Sequence, residues 1–184
     1  MLSLPTGDGE LIAWRPSGTP PIEPELGGFH SRVAFAATHV IPDPLRERQP
    51  GASPIIDWDA TLSIRRHLWE LGLGVAEAMD TAQRGSGVAW DTARDLIRRT
   101  ATEAEGPAVY GAGTDQLAAG GEYSVDEITE AYREQVSFIE ELGGQAIVMA
   151  SRHLAAAARS PEEYVAVYDE VIASSSRPLL IHWL

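Results

Sequence analysis

The sequence predicts an α/β protein on a parallel sheet, and three observations carry the prediction. Short apolar runs alternate with amphipathic stretches of helical length, glycines follow the helices, and the unit recurs along the chain at a near-constant interval. Parallel neighbours need a long crossover connection, so regular alternation implies strands side by side with helices laid over them.

The elements follow in order. Residues 2–4 and 11–14 read as a hairpin around Thr6-Gly7-Asp8-Gly9, whose Asp-Gly step supplies the positive φ angles of a tight turn. Residues 16–28, rich in proline and glycine, read as a linker. The first strand is expected over 33–37, a long loop over 42–54, and a helix over 58–71 capped by Asp57 or Asp59. A second strand over 75–79, a helix over 90–104 and a third strand over 108–112 come next. The third helix has the clearest pattern: Val125, Ile128, Tyr132, Val136, Ile139 and Leu142 step by three and four along one face, and Ser124 with Glu127 forms a capping box. The fourth strand is expected over 146–150. The last helix opens with Ser160-Pro161-Glu162-Glu163, proline taking the favoured first position, and the fifth strand runs over 178–183. Glu70-Leu71-Gly72 precedes the second strand as Glu141-Leu142-Gly143 precedes the fourth, which fits either common ancestry of the units or plain helix punctuation.

Two architectures compete. An open doubly wound sheet usually carries a glycine-rich loop after its first strand, whereas Ala37-Thr38-His39-Val40 has no glycine, so a (β/α) barrel of the TIM type is favoured. A closed barrel takes eight strands and about 250 residues. This chain supplies five, and it ends on Leu179-Leu180-Ile181-His182-Trp183-Leu184, a buried-strand sequence. The expected organisation is an N-terminal hairpin and linker over 1–28 and an incomplete barrel, strands one to five, over 29–184, truncated at its C-terminus. The open barrel edge is the expected place for a homo-oligomer contact, or for a partner chain if the half-barrel is a complete, non-catalytic unit.

Composition narrows the function. With 27 acidic residues against 14 arginines the net charge is -13, which repels phosphate backbones and anionic lipid, so neither nucleic acid nor a membrane surface is an expected partner. No apolar run approaches a membrane span and no signal peptide is visible, and the absence of cysteine fits a cytoplasmic location. Lysine is also absent, so no side-chain Schiff base can form within this chain.

In barrels of this kind the site lies at the carboxyl ends of the strands, which selects Thr38 and His39, Glu77, Asp80 and Thr81, Thr114 and Asp115, Ser151, Arg152 and His153, and His182. Glu77 stands out because it interrupts the apolar run Val75-Ala76-Glu77-Ala78-Met79, where a carboxylate is costly unless paired. Asp80 and Asp115 also suit loop capping, and His39 and His182 suit structural roles. His30 and His67 are set aside to linker and helix. His39, Glu77, Asp80, Asp115 and His182 are also metal-ligand types, yet no His-x-His or His-Glu-x-x-His occurs, and neither metal nor cofactor is expected. The lack of a Gly-x-Ser-x-Gly elbow argues against a serine hydrolase.

Residues 68–85, together with Gly111-Ala112-Gly113-Thr114-Asp115-Gln116 and Met149-Ala150-Ser151-Arg152, resemble an uncharacterised bacterial family labelled "dihydrodipicolinate synthase family". The resemblance spans nearly the whole chain and implies longer relatives. It also implies distant kinship with aldolases such as dihydrodipicolinate synthase and N-acetylneuraminate lyase, barrels that hold a keto acid through a lysine Schiff base. Those enzymes carry Thr-Thr-Gly-Glu after the second strand; here Asp80-Thr81-Ala82-Gln83 keeps only Thr81, and His182 stands where they have a catalytic tyrosine. The implied function is carbon-carbon lyase chemistry on a small keto-acid or sugar-acid substrate, the fragment itself being inactive. The alternative from another enzyme class is a metal-dependent sugar isomerase or epimerase. The candidate catalytic residues are His182, Glu77 and Asp80. The candidate substrate-binding residues are Thr81, Asp115, His39 and Arg152.

Overall fold

A computed structural model of the protein describes residues 2–15, 32–46, 49, 52–81 and 83–182. The linker expected over 16–28, His30, Ala82 and the end of the fifth strand at Trp183 lie outside the described residues.

At the N-terminus β1 (Leu2–Pro5) and β2 (Leu11–Trp14) pair antiparallel, with Gly9 at φ 86° in the turn. This hairpin is separate from the main sheet. The main sheet holds β3 (Phe35–Ala37), β4 (Gly74–Glu77), β5 (Ala108–Ala112), β6 (Ala146–Val148) and β7 (Leu180–Ile181), all parallel and in chain order. It curls as a half-barrel. The crossovers carry α1 (Trp58–Glu70), α2 (Trp90–Glu103), α3 (Val125–Glu141), α4 (Arg152–Ala157) and α5 (Pro161–Ser174). No helix among the described residues is long and apolar enough to cross a membrane.

Local chemistry explains the boundaries. Asp57, not Asp59, caps α1 by accepting from the Ala60 amide at 3.0 Å. The capping box of Ser124 and Glu127 opens α3 as expected, and Ser160 with Pro161 opens α5. After α1 the amide of Leu73 bonds Leu68 and that of Gly72 bonds Trp69; after α3 the amide of Gly144 bonds Ile139 and that of Gly143 bonds Glu140. Both ends are Schellman caps, with Gly72 at φ 76° and Gly143 at φ 77°, so the repeated Glu-Leu-Gly is helix punctuation. The second strand stops short of Met79 because Ala78 turns to φ 57°. The fourth stops at Val148, since Ser151 starts α4, a helix the periodicity did not announce.

Alternation along the strands sorts two cores. Tyr110, Ala112, Ala146 and Val148 face the helices and pack with Ile97, Ile128, Tyr132 and Leu154. Ala76, Val109 and Met149, joined by Met79, Ile147 and Leu180, form a smaller apolar cluster on the concave face. That cluster is the floor beneath the strand ends.

Candidate active site

The turn at Ala78 shapes everything above the floor. A non-glycine residue in the left-handed region costs about 1–2 kcal/mol, and here it brings the Ala78 carbonyl over Gly111, where an added Cβ would lie 2.4 Å from that oxygen. The chain then loops through Asp80 into a 3-10 turn, Arg84–Ser86, and returns the Arg84 guanidinium to the sheet. Its Nη2 donates to the Gly111 carbonyl at 2.6 Å, and its Nη1 donates to Asp115 at 2.7 Å and to Gln135 at 2.6 Å. Gln135 also donates to Asp115 and Gln116, and accepts from the Gly113 amide. Burial pulls the Arg84 guanidinium below its ordinary pKa, while the Asp115 and Asp80 charges act the other way. Arg84 therefore braces the ends of β4 and β5, and its charge is answered inside the protein.

Beside it opens a cavity of about 320 Å³ at the carboxyl ends of β4, β5 and β6. Asp80, Arg84, Thr114, Asp115, Ser151, Arg152 and His153 supply its polar lining. Thr114 Oγ1 lies 2.6 Å from Ser151 Oγ and 3.0 Å from His153 Nδ1. His153 Nε2 lies 3.3 Å from the Ala118 carbonyl, and the Tyr123 ring meets the imidazole edge-on. Ser151 accepts from the Leu154 amide as the cap of α4, which holds Arg152 and His153 at the rim. Beneath them the Tyr132 hydroxyl donates to the Met149 carbonyl at 2.5 Å. Burial raises the pKa of that phenol; Tyr168 adds to the rise and Ser151 opposes it.

The structure brings only some of the sequence candidates together. Asp80, Asp115 and Arg152 line the cavity. Glu77 does not: it is fully buried on the helix-facing side of β4, where Arg65 grips both its oxygens at 2.8 and 2.9 Å, and Gln83 and Thr100 donate to it at 2.6 and 2.8 Å. The catalytic role expected for Glu77 gives way to a structural one, because the same parity that hides Val75 turns Glu77 toward α1 and α2. Its charge joins burial in pushing the Tyr110 phenol up to about 12. His39 is exposed and does not line the cavity; its carbonyl accepts from Arg65 at 2.7 Å. Thr81 is exposed too, its carbonyl taken by Ser86. His182 continues the β6–β7 ladder through its amide to the Val148 carbonyl, and it borders a different, largely apolar groove with Tyr164, Tyr168 and Ile181.

Arg84, Gln135 and the Thr114–Ser151–His153 group are what sequence reasoning missed or passed over. Thr114, Ser151 and His153 did fall at strand ends, but their mutual contact joins residues far apart in sequence. Gln135 carried one signal, a polar side chain one position before Val136 on the apolar face of a helix.

Fold and site together define a mixed α/β half-barrel protein with a polar cavity at the carboxyl ends of its parallel strands. The chain belongs to the family described as "Protein of unknown function (DUF993)", which matches residues 2–184. That description carries no activity and no link to the dihydrodipicolinate synthase group. A search of curated proteins found none that matches the sequence.

Proposed function

We propose that the cavity is the substrate site of a (β/α) barrel-type enzyme acting on a small polar compound that carries a carboxylate, with carbon-carbon lyase chemistry of the aldolase type. The observation that supports this reading is the convergence of a cation, hydroxyls, an imidazole and carboxylates in one cavity at the ends of three adjacent parallel strands. Arg84 is neutralised by Asp115, whereas Arg152 makes no ion pair among the described residues and sits at the rim. Arg152 is the handle for an anionic group; Asp80 and Asp115 orient hydroxyls. With no lysine, the chain contributes binding and proton transfer, and it forms no side-chain Schiff base.

A metal-dependent sugar isomerase or epimerase is the second reading; among the described residues no three histidine or acidic side chains are grouped so that they could share one metal ion. Titrating the chain with pyruvate, followed by amide NMR, tests the proposal. Saturable shifts at the Arg152 amide and its neighbours along the cavity rim are expected, and Arg152→Ala should weaken binding about tenfold, the loss of one charge-assisted hydrogen bond. Pyruvate that moves no resonance around the cavity would sink the proposal.

A further inference from the structure

We propose that Ser151, Thr114 and His153 form a base-ended relay that selects a substrate hydroxyl and takes its proton. The inference deepens the preceding reading, on which it rests for the carboxylate alone.

The argument is a count of hydrogens. The Ala118 carbonyl can only accept, so a hydrogen on His153 Nε2 is what satisfies that contact. Nδ1 then carries the lone pair and accepts from Thr114 at 3.0 Å. With the Thr114 hydrogen used, the 2.6 Å contact to Ser151 runs from the Ser151 hydroxyl to Thr114 Oγ1. Were Ser151 turned toward the Tyr132 phenol instead, its hydrogen would still be spent inside the protein. Every hydrogen of the trio is therefore committed, and what it offers the cavity is lone pairs on Thr114 and Ser151. A ligand seated there must bring a donor, such as a hydroxyl. A carbonyl or ether oxygen at the same place would face acceptors only.

The order of the bonds gives the chemistry. As the substrate O–H bond breaks, its proton lands on Thr114 Oγ1 while the Thr114 proton passes to His153 Nδ1. The electron pair stays on the substrate oxygen, leaving an alkoxide and an imidazolium. Removing a hydroxyl proton is the step that opens cleavage of a hydroxy-keto acid, so the relay suits the proposed reaction. The charged and titratable groups around the imidazole are Arg152 beside it, the Arg84–Asp115 pair and Asp80 on the cavity wall, and the Tyr123 ring at its edge. Arg152 stands ready for the carboxylate of the same molecule.

Two measurements on the whole chain test the relay. Imidazole ¹⁵N NMR should show neutral His153 as the Nε2–H tautomer; the Nδ1–H tautomer would reverse every bond in the trio and overturn the proposal. Binding of D- and L-lactate should then be compared with propionate, which has the same carbon skeleton without the hydroxyl. One lactate enantiomer should bind about tenfold more tightly than propionate, the scale of one hydrogen bond. Thr114→Val should bring that ratio close to one, and Thr114→Ser should restore it, whereas Arg152→Ala should weaken lactate and propionate alike. Equal binding of lactate and propionate by the unaltered chain overturns the relay and spares the carboxylate site. If no carboxylate binds, the preceding reading fails, and the tautomer alone decides the relay. Thermal melts of Thr114→Val separate loss of selectivity from loss of fold.

Discussion

At the scale of single residues, a carboxylate shut away from water keeps its charge only when each oxygen is met by donors. Glu77 Oε1 accepts from Arg65, Gln83 and the Ala78 amide, and Oε2 accepts from Arg65 and Thr100. Glu77→Gln would leave the Arg65 guanidinium buried and uncompensated, so a loss of about 3–5 kcal/mol in urea unfolding is expected. A loss below about 1 kcal/mol would show that Arg65 finds another partner. Gly111 makes a different demand. An alanine there would press its Cβ against the Ala78 carbonyl, which is backbone and cannot swing away. Gly111→Ala should cost about 1–3 kcal/mol and disturb the Arg84 contact below the cavity, read as shifted amide resonances at Gly113 and Asp115.

At the scale of elements, the helix ends are fixed by local devices that single substitutions can test. Gly143 sits at φ 77° with open space where a Cβ would go, so Gly143→Ala isolates the backbone strain, and a thermal melt should report about 1 kcal/mol of lost stability. The other end device is electrostatic. Partial burial pushes the Glu140 pKa up, but hydrogen bonds from Ser175, Ser176 and the Arg177 amide outweigh it, and the group ends below its ordinary value. A carboxyl lowered on folding stabilises above its unfolded pKa, and that contribution fades as pH falls through the folded value. The tie between α3 and the loop leading to β7 should therefore hold at neutral pH and loosen in acid. Glu140→Gln should lower the melting temperature at neutral pH and have little effect below the carboxylate range; equal losses at both pH values would refute this account.

At the scale of the whole molecule, the sheet works as a frame whose two faces have separate duties. The helix-facing side holds the large core and the buried Arg65–Glu77 pair, and the concave side holds a small apolar floor. Polar groups gather where the strands end, because the backbone turns there and side chains no longer alternate between two buried layers. The cavity draws on β4, β5 and β6 together, so changes beneath it, Gly111→Ala among them, should propagate to ligand binding without touching the ligand.

Much of this was legible from the amino-acid order. Alternation, caps and glycine stops are local signals, and they placed the hairpin, the parallel strands in order and the main helices within a few residues. The order also marked Glu77 as a buried charge and Asp80, Asp115 and Arg152 as strand-end residues. Tertiary structure alone decided which way Glu77 points, because one residue of strand parity exchanges the cavity for the helix layer. It also decided that Arg84 returns to the sheet through the Ala78 turn, and that His182 borders a different groove from Arg152. The hydrogen-bonded contact of Thr114, Ser151 and His153 is the clearest case: it forms between two separate strand ends, and no periodicity within either segment encodes a distance between them.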